Sequence, residues 1–202
     1  AGNLPLAEQL CSQAWQKNPF DANVVDVLAM VQLEKGDGKT ALATIKNALS
    51  IDSLSTLYHT HHGIILKALG RLEDARKAYE EALALDPEAP DTLFNLALLC
   101  QDTGDLRESL TLCLRVTKLD PSNAAAFNNL GTTHQHLGQF EEAATAYRTA
   151  IALNPGHIGA YCNLATALAE GDQIKDSLIV CEEALEKWPG HSEILNAQSN
   201  AH

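Results

Sequence analysis

Aromatic residues are scarce: the chain of 202 residues has four Phe, four Tyr and two Trp. A conventional globule of this length builds its core around more of them. Ala and Leu carry the apolar content instead, which favours helix packed on helix. At 46% hydrophobic and 20% charged, the chain is not disordered. No apolar run approaches the roughly 18 residues of a membrane-spanning helix. The N-terminus, AGNLPLAEQL, has no basic stretch followed by an apolar one, so it is not a signal peptide. Positive charge is short as well, with 14 Lys and Arg against 26 acids and a net charge of −12. Nucleic acid and anionic membrane, which both need a basic footprint, are excluded as partners. The five Cys are odd in number and contain no CxxC, so no disulfide framework is implied. No nucleophile elbow, phosphate loop, HExxH or calcium loop is present. The chain is therefore expected to be no enzyme and to need no cofactor. It lacks an initiator Met, as a processed product or a fragment would, and its expected compartment is the cytoplasm.

What the chain does have is a period. Glycines stand at 2, 36, 70, 104 and 138, each 34 residues from the last. Prolines stand at 19, 87, 121, 155 and 189, with Ser53 in the one empty slot. Two breaker residues recurring at one spacing indicate a repeat. Each unit reads helix, turn, helix. In 124–157, the stretch AAAFNNLGTTHQHL is apolar at helical spacing, and Gly138 closes that helix where left-handed φ is needed. FEEAATAYRTAIALN then restarts, and Pro155 ends it.

On these residues the chain resembles the tetratricopeptide repeat family. That family's unit places a bulky residue at position 4, Leu-Gly at 7–8, Ala at 20 and 27, aromatics at 11 and 24, and Pro at 32. Counted so that each proline is 32, the full units are 22–55, 56–89, 90–123, 124–157 and 158–191. Residues 1–21 match the second half of a preceding unit, and 192–202 the start of another or a cap. Position 20 holds Ala7, Ala41, Ala75, Ser109, Ala143 and Ser177, small residues that let helices approach closely. Ser53 and the early Gly171 depart from the pattern and bear on local turn geometry alone. The resemblance implies an all-α solenoid, a right-handed superhelix of antiparallel helix pairs covering the whole chain as one array.

The stretch HTHHGIILKALG puts three histidines within four positions, a spacing that raises a metal site. At about 100° per residue, His59 and His62 share a face while His61 points elsewhere. His134 and His136 diverge likewise. The expectation is no metal: His59 and His62 take places that neighbouring units fill with Leu93, Phe127, Leu96 and Leu130, as hydrogen-bonded core imidazoles. Cys11, Cys100, Cys113 and Cys181 fall in core slots, and Cys162 should face the groove without a base or cation to activate it. The pairs Glu80-Glu81, Glu141-Glu142 and Glu182-Glu183 read as a solvated face.

The resemblance places positions 2, 5, 6, 9, 12 and 13 of the first helices on the concave groove. Position 6 reads Val27, His61, Asn95, Asn129, Asn163 and Ala197. Three consecutive asparagines form a ladder, and each amide offers a donor and an acceptor to the backbone of an extended peptide. The alternative is that the amides pair with each other or with nearby backbone. The ladder and the NNLG of 124–157 resemble the arrays of O-linked N-acetylglucosamine transferases, with a similar use in kinesin light chains. No catalytic glycosyltransferase residues are present, so recognition alone carries over. The expected peptide-binding set is Asn95, Asn129, Asn163, His61, Asn128, Thr132, Gln101, Gln135, Asp91 and Phe94. Positions 2, 5, 6 and 9 lack Lys and Arg, which rules out a carboxylate clamp. The groove charges are Asp26, Glu34, Asp91, Asp102, Glu170 and Glu193 against Lys67, so the partner should be an extended neutral or basic protein segment. Three functions stay open: an interaction scaffold, the non-catalytic recruiting arm of a larger enzyme, and a self-association module using open repeat ends. Leu6, Leu10, Ile194 and Leu195 are expected to be poorly protected at those ends.

Overall fold

The computed structural model describes residues 4–200, the side chain of Asn200 excepted. Gly2 and residues 201–202 lie outside the described residues. Within them the chain is all-α, with twelve helices: α1 (Leu4–Lys17), α2 (Ala22–Glu34), α3 (Gly38–Ile51), α4 (Thr56–Ala68), α5 (Leu72–Leu85), α6 (Pro90–Thr103), α7 (Leu106–Leu119), α8 (Ala124–His136), α9 (Phe140–Leu153), α10 (Ile158–Glu170), α11 (Ile174–Lys187) and α12 (Ser192–Asn200). The chain divides into two compact units, residues 1–99 and 100–202. In the first, α2 pairs with α3 and α4 with α5 in antiparallel hairpins, and α1 lies on α2. In the second, α8 pairs with α9 and α10 with α11, α7 lies on α8, and α12 covers α10 and α11.

The same backbone device ends each first helix. In α8, the Gln139 N–H reaches the His134 carbonyl at 2.9 Å across Gly138, which has φ of 73°. This six-to-one closure occupies a carbonyl the helix end would leave bare, and it needs a left-handed residue in the middle. Asp37, Arg71 and Asp105 close α2, α4 and α6 in the same way across Gly36, Gly70 and Gly104. The early Gly171 does not break the series. Asp172, 34 residues after Gly138, takes the left-handed place with φ of 59°, and Gln173 still reaches the Leu168 carbonyl at 2.8 Å. Gly171 is small for another reason: a Cβ there would stand 3.0 Å from that of Phe140.

The second helices α3, α5, α7 and α9 end in turns closed by a side chain. The carboxylates of Asp52, Asp86 and Asp120 and the amide oxygen of Asn154 each accept the N–H two residues on, all at 3.0 Å. The turn therefore forms at Asp52 although Ser53 replaces the proline.

Packing is distributed over local clusters. Val25, Ala29, Ala41, Ile45 and Ile65 form one in the first unit. Ala143, Tyr147, Leu164 and Leu168 form another in the second, and Tyr161, Cys181, Ala184 and Ile194 a third. Such stacks draw stability from neighbouring interfaces. Buried Ser177 donates to the Ala165 carbonyl at 2.7 Å, so a hydroxyl in a slot made for alanine stays satisfied. The ends differ from the sequence expectation in one respect. Leu6, Leu10 and Leu195 are exposed, but Ile194 is buried, because α12 turns it into the cluster around Tyr161 and Cys181.

Candidate functional site

In the first unit, α4 and α6 bound a cavity of about 510 Å3. Four of the expected binding residues line it: His61 from α4, and Asp91, Phe94 and Asn95 from α6. Leu57, Ile64, Thr60 and Thr92 complete much of the wall. Asp91 is exposed, while Phe94 and Asn95 are half-buried. The Asn95 amide donates to the Asp91 carbonyl one turn back, at 2.8 Å, which leaves its Oδ1 free of a hydrogen bond among the described residues.

His61 does not stand alone. Its Nδ1 lies 2.7 Å from Oδ1 of Asp26 on α2. Asp26 was expected as a groove charge, but it is only 3% exposed and paired with the imidazole. The reason is a register that pairs position 5 of one first helix with position 6 of the next. The same 35-residue step links Asn128 to Asn163 in the second unit, where the Asn163 amide donates to Asn128 Oδ1 at 3.1 Å. It also links Gln135 to Glu170, at 2.7 Å.

The second unit occupies several more of the expected residues internally. Tyr147 donates to Gln135 Oε1 at 2.8 Å, with Thr132 Oγ1 at 3.2 Å. Gln135 thus joins α9 to α10 through both ends of its amide. Gln101 donates to the Asn129 carbonyl at 3.0 Å and to Thr133 Oγ1 at 2.6 Å, clamping the end of α6 to α8. The side-chain amide of Asn129 makes no hydrogen bond among the described residues and is half-buried. Of the ladder, one amide is free and two have their donors partly occupied.

The histidine stretch resolves into three environments. His59 Nε2 donates to the Ser53 carbonyl at 3.0 Å, and its Nδ1 is 3.1 Å from a Glu81 oxygen, too poorly aligned for a hydrogen bond. His62 contradicts the expectation of hydrogen-bonded core imidazoles, since both its ring nitrogens are buried without a partner. Burial, and then the Lys46 ammonium, hold its pKa below the usual histidine range. Among the described residues, no group of three or more His, Cys, Asp or Glu is placed to hold a metal ion. Cys162 packs half-buried against the cluster around Tyr161 and Ile194, and burial, followed by Glu193, pushes its thiol up. No helix of the described residues is long and apolar enough to cross a membrane.

Antiparallel helical hairpins recurring at a fixed spacing define a helical repeat protein. Family models described as TPR repeat match residues 63–104, and as tetratricopeptide repeat match 90–123 and 124–157. Residues 63–157 therefore carry tetratricopeptide repeats, which generically serve protein–protein interaction. Solved structures share the fold. YrrB, described as a TPR protein with an unusual peptide-binding site, is 21% identical over 94% of this chain and 97% of its own, with a TM-score of 0.73. The Cut9–Hcn1 hetero-tetramer of the APC/C gives a TM-score of 0.85 at 16% identity, over 98% of this chain and 39% of the matched one. MamA from Desulfovibrio magneticus RS-1 gives 0.75 at 20% identity, over 84% and 97%. None of the curated proteins matches the chain.

Proposed function

We propose that the first-helix face binds an extended segment of another protein, and that the chain works as an interaction scaffold. The observation that carries this reading is the cavity between α4 and α6, lined by His61, Asp91, Phe94 and Asn95. Asn95 and Asn163 keep an amide oxygen for a peptide N–H, and Asn129 keeps its whole amide. YrrB, which shares the fold, has a peptide-binding site. The likeness of the three asparagines to the ladder of O-linked N-acetylglucosamine transferases points the same way, and a recruiting arm is the form this surface takes when joined to an enzyme.

The test uses a random dodecapeptide display library selected on the immobilised full chain, followed by titration of the best synthetic peptides. Changing Asn95, Asn129 and Asn163 together to Ala should weaken binding on the order of a hundredfold, at about 1 kcal/mol per hydrogen bond, while a single change loses several-fold. Helical signal and cooperative melting should persist, because these side chains are not fully buried. A folded triple variant that binds as tightly as wild type would make the asparagines structural.

A further inference from the structure

We propose that the cavity between α4 and α6 selects an apolar side chain with a lysine or arginine beside it, and disfavours acidic segments. The proposal rests on the peptide-binding reading and specifies the partner's chemistry. The wall is largely apolar, built by Leu57, Ile64 and Phe94, and Leu57 is 49% exposed. Its volume of about 510 Å3 lies within the roughly 300–1,000 Å3 of sites that enclose ligands.

The polar atoms decide the rest. Thr60 donates to the Thr56 carbonyl at 2.8 Å, so the 2.6 Å contact between Thr60 and Thr92 takes its proton from Thr92. Neither hydroxyl has a donor left. Asp26 as a carboxylate can only accept, so Nδ1 of His61 donates to it. One amide proton of Asn95 goes to Asp91. What remains is the Asp91 carboxylate, Asp86 and Oδ1 of Asn95, against one amide proton and the Thr56 hydroxyl. The occupant must therefore bring donors. No Lys or Arg lines the cavity, so two carboxylates at its rim face no local cation, and the charge favours cationic donors over neutral ones. Asp91 also suits the first turn of α6 through the helix dipole. That accounts for its own charge, not for the excess of acceptors over donors at the rim.

The experiment sequences the dodecapeptides enriched on the full chain. It then titrates one enriched peptide, its Lys→Gln form and its apolar→Ser form against wild type, Leu57→Ser and Asp91→Asn. Both substituted residues are exposed, and circular dichroism checks the fold. Apolar–basic pairs should be enriched. Lys→Gln should lose roughly two- to fivefold on wild type, the size of an exposed ion pair, and this difference should shrink on Asp91→Asn. Apolar→Ser should lose affinity on wild type and less on Leu57→Ser. Independently of any variant, the Lys–Gln difference should shrink as salt is added. Enriched peptides without basic residues, or a Lys–Gln difference unchanged by Asp91→Asn, would overturn the proposal. If such peptides still lose affinity on the triple asparagine variant, peptide binding on this face stands and only the selectivity falls. If no peptide is enriched, both readings fall.

Discussion

At His62 a titratable ring occupies the place held by Leu28, Leu96, Leu130 and Leu164 in the other repeats. Its buried nitrogens have no partner, and its pKa is held down chiefly by burial. The folded state therefore favours the neutral ring. The unfolded chain takes up the proton as pH falls through about 6.5, so this contribution to stability is complete above that pH and lost below it. His62→Leu should stabilise the protein by about 1–3 kcal/mol and flatten the loss of melting temperature on the acid side, read in melts of both proteins across that pH range. The tyrosines make a second residue-scale contrast. Burial pushes Tyr147 up to about 12 and Tyr79 up as well. An unfolded phenol ionises above about pH 10 while the folded one resists, so stability should fall as pH rises past that value. The Tyr147 hydroxyl is bonded to Gln135, whereas the buried Tyr79 hydroxyl has no partner. At neutral pH, Tyr79→Phe should be neutral or stabilising and Tyr147→Phe should cost about 1 kcal/mol, with both flattening the alkaline loss. Urea midpoints at neutral and alkaline pH test this.

At the scale of helices, the hairpins are fitted by matched pairs. Gly63 faces Tyr79 and Gly131 faces Tyr147, and a Cβ on either glycine would stand 2.4 or 2.6 Å from the ring. Where the glycine becomes alanine the ring is gone: Ala29 shares a cluster with Ile45, and Ala165 with Cys181. Gly131→Ala should cost about 1–3 kcal/mol by overpacking. Adding Tyr147→Cys, which copies the Ala165–Cys181 pair, should cost less than the two single losses summed, because the clash is relieved. Denaturation of the four proteins of this cycle measures the coupling, and strict additivity would sink the idea.

At the scale of the whole chain, stability should grade by burial. α1 has no buried residue, whereas α12 buries Ile194 and Ala197. Amide exchange in the 202-residue chain should be fastest in α1, slower in α12, and slowest in helices such as α5 and α9 that bury a tyrosine and three or more alanines. Mass spectrometry of exchanged peptides reads this directly, and equal protection of α1 and α9 would contradict it.

The residues alone determined the helices, their ends and their pairing into repeats. Breaker residues act through local backbone geometry, and a local rule recurs wherever its residue recurs. Gly36, Gly70, Gly104 and Gly138 all take the left-handed φ that their position calls for. Four of the residues expected on the first-helix face line one cavity. What each side chain does there was not legible. The ladder was counted in steps of 34, but neighbouring first helices bond in steps of 35, so Asp26 meets His61 and Asn128 meets Asn163. That one-residue offset comes from how one hairpin stacks on the next. It decided that Asp26 is buried against His61 and that Gln135 reaches Glu170 on the next first helix. The backbone also kept the period where the sequence lost it: Asp172 adopts the glycine conformation because the stacked helices fix where α10 must end.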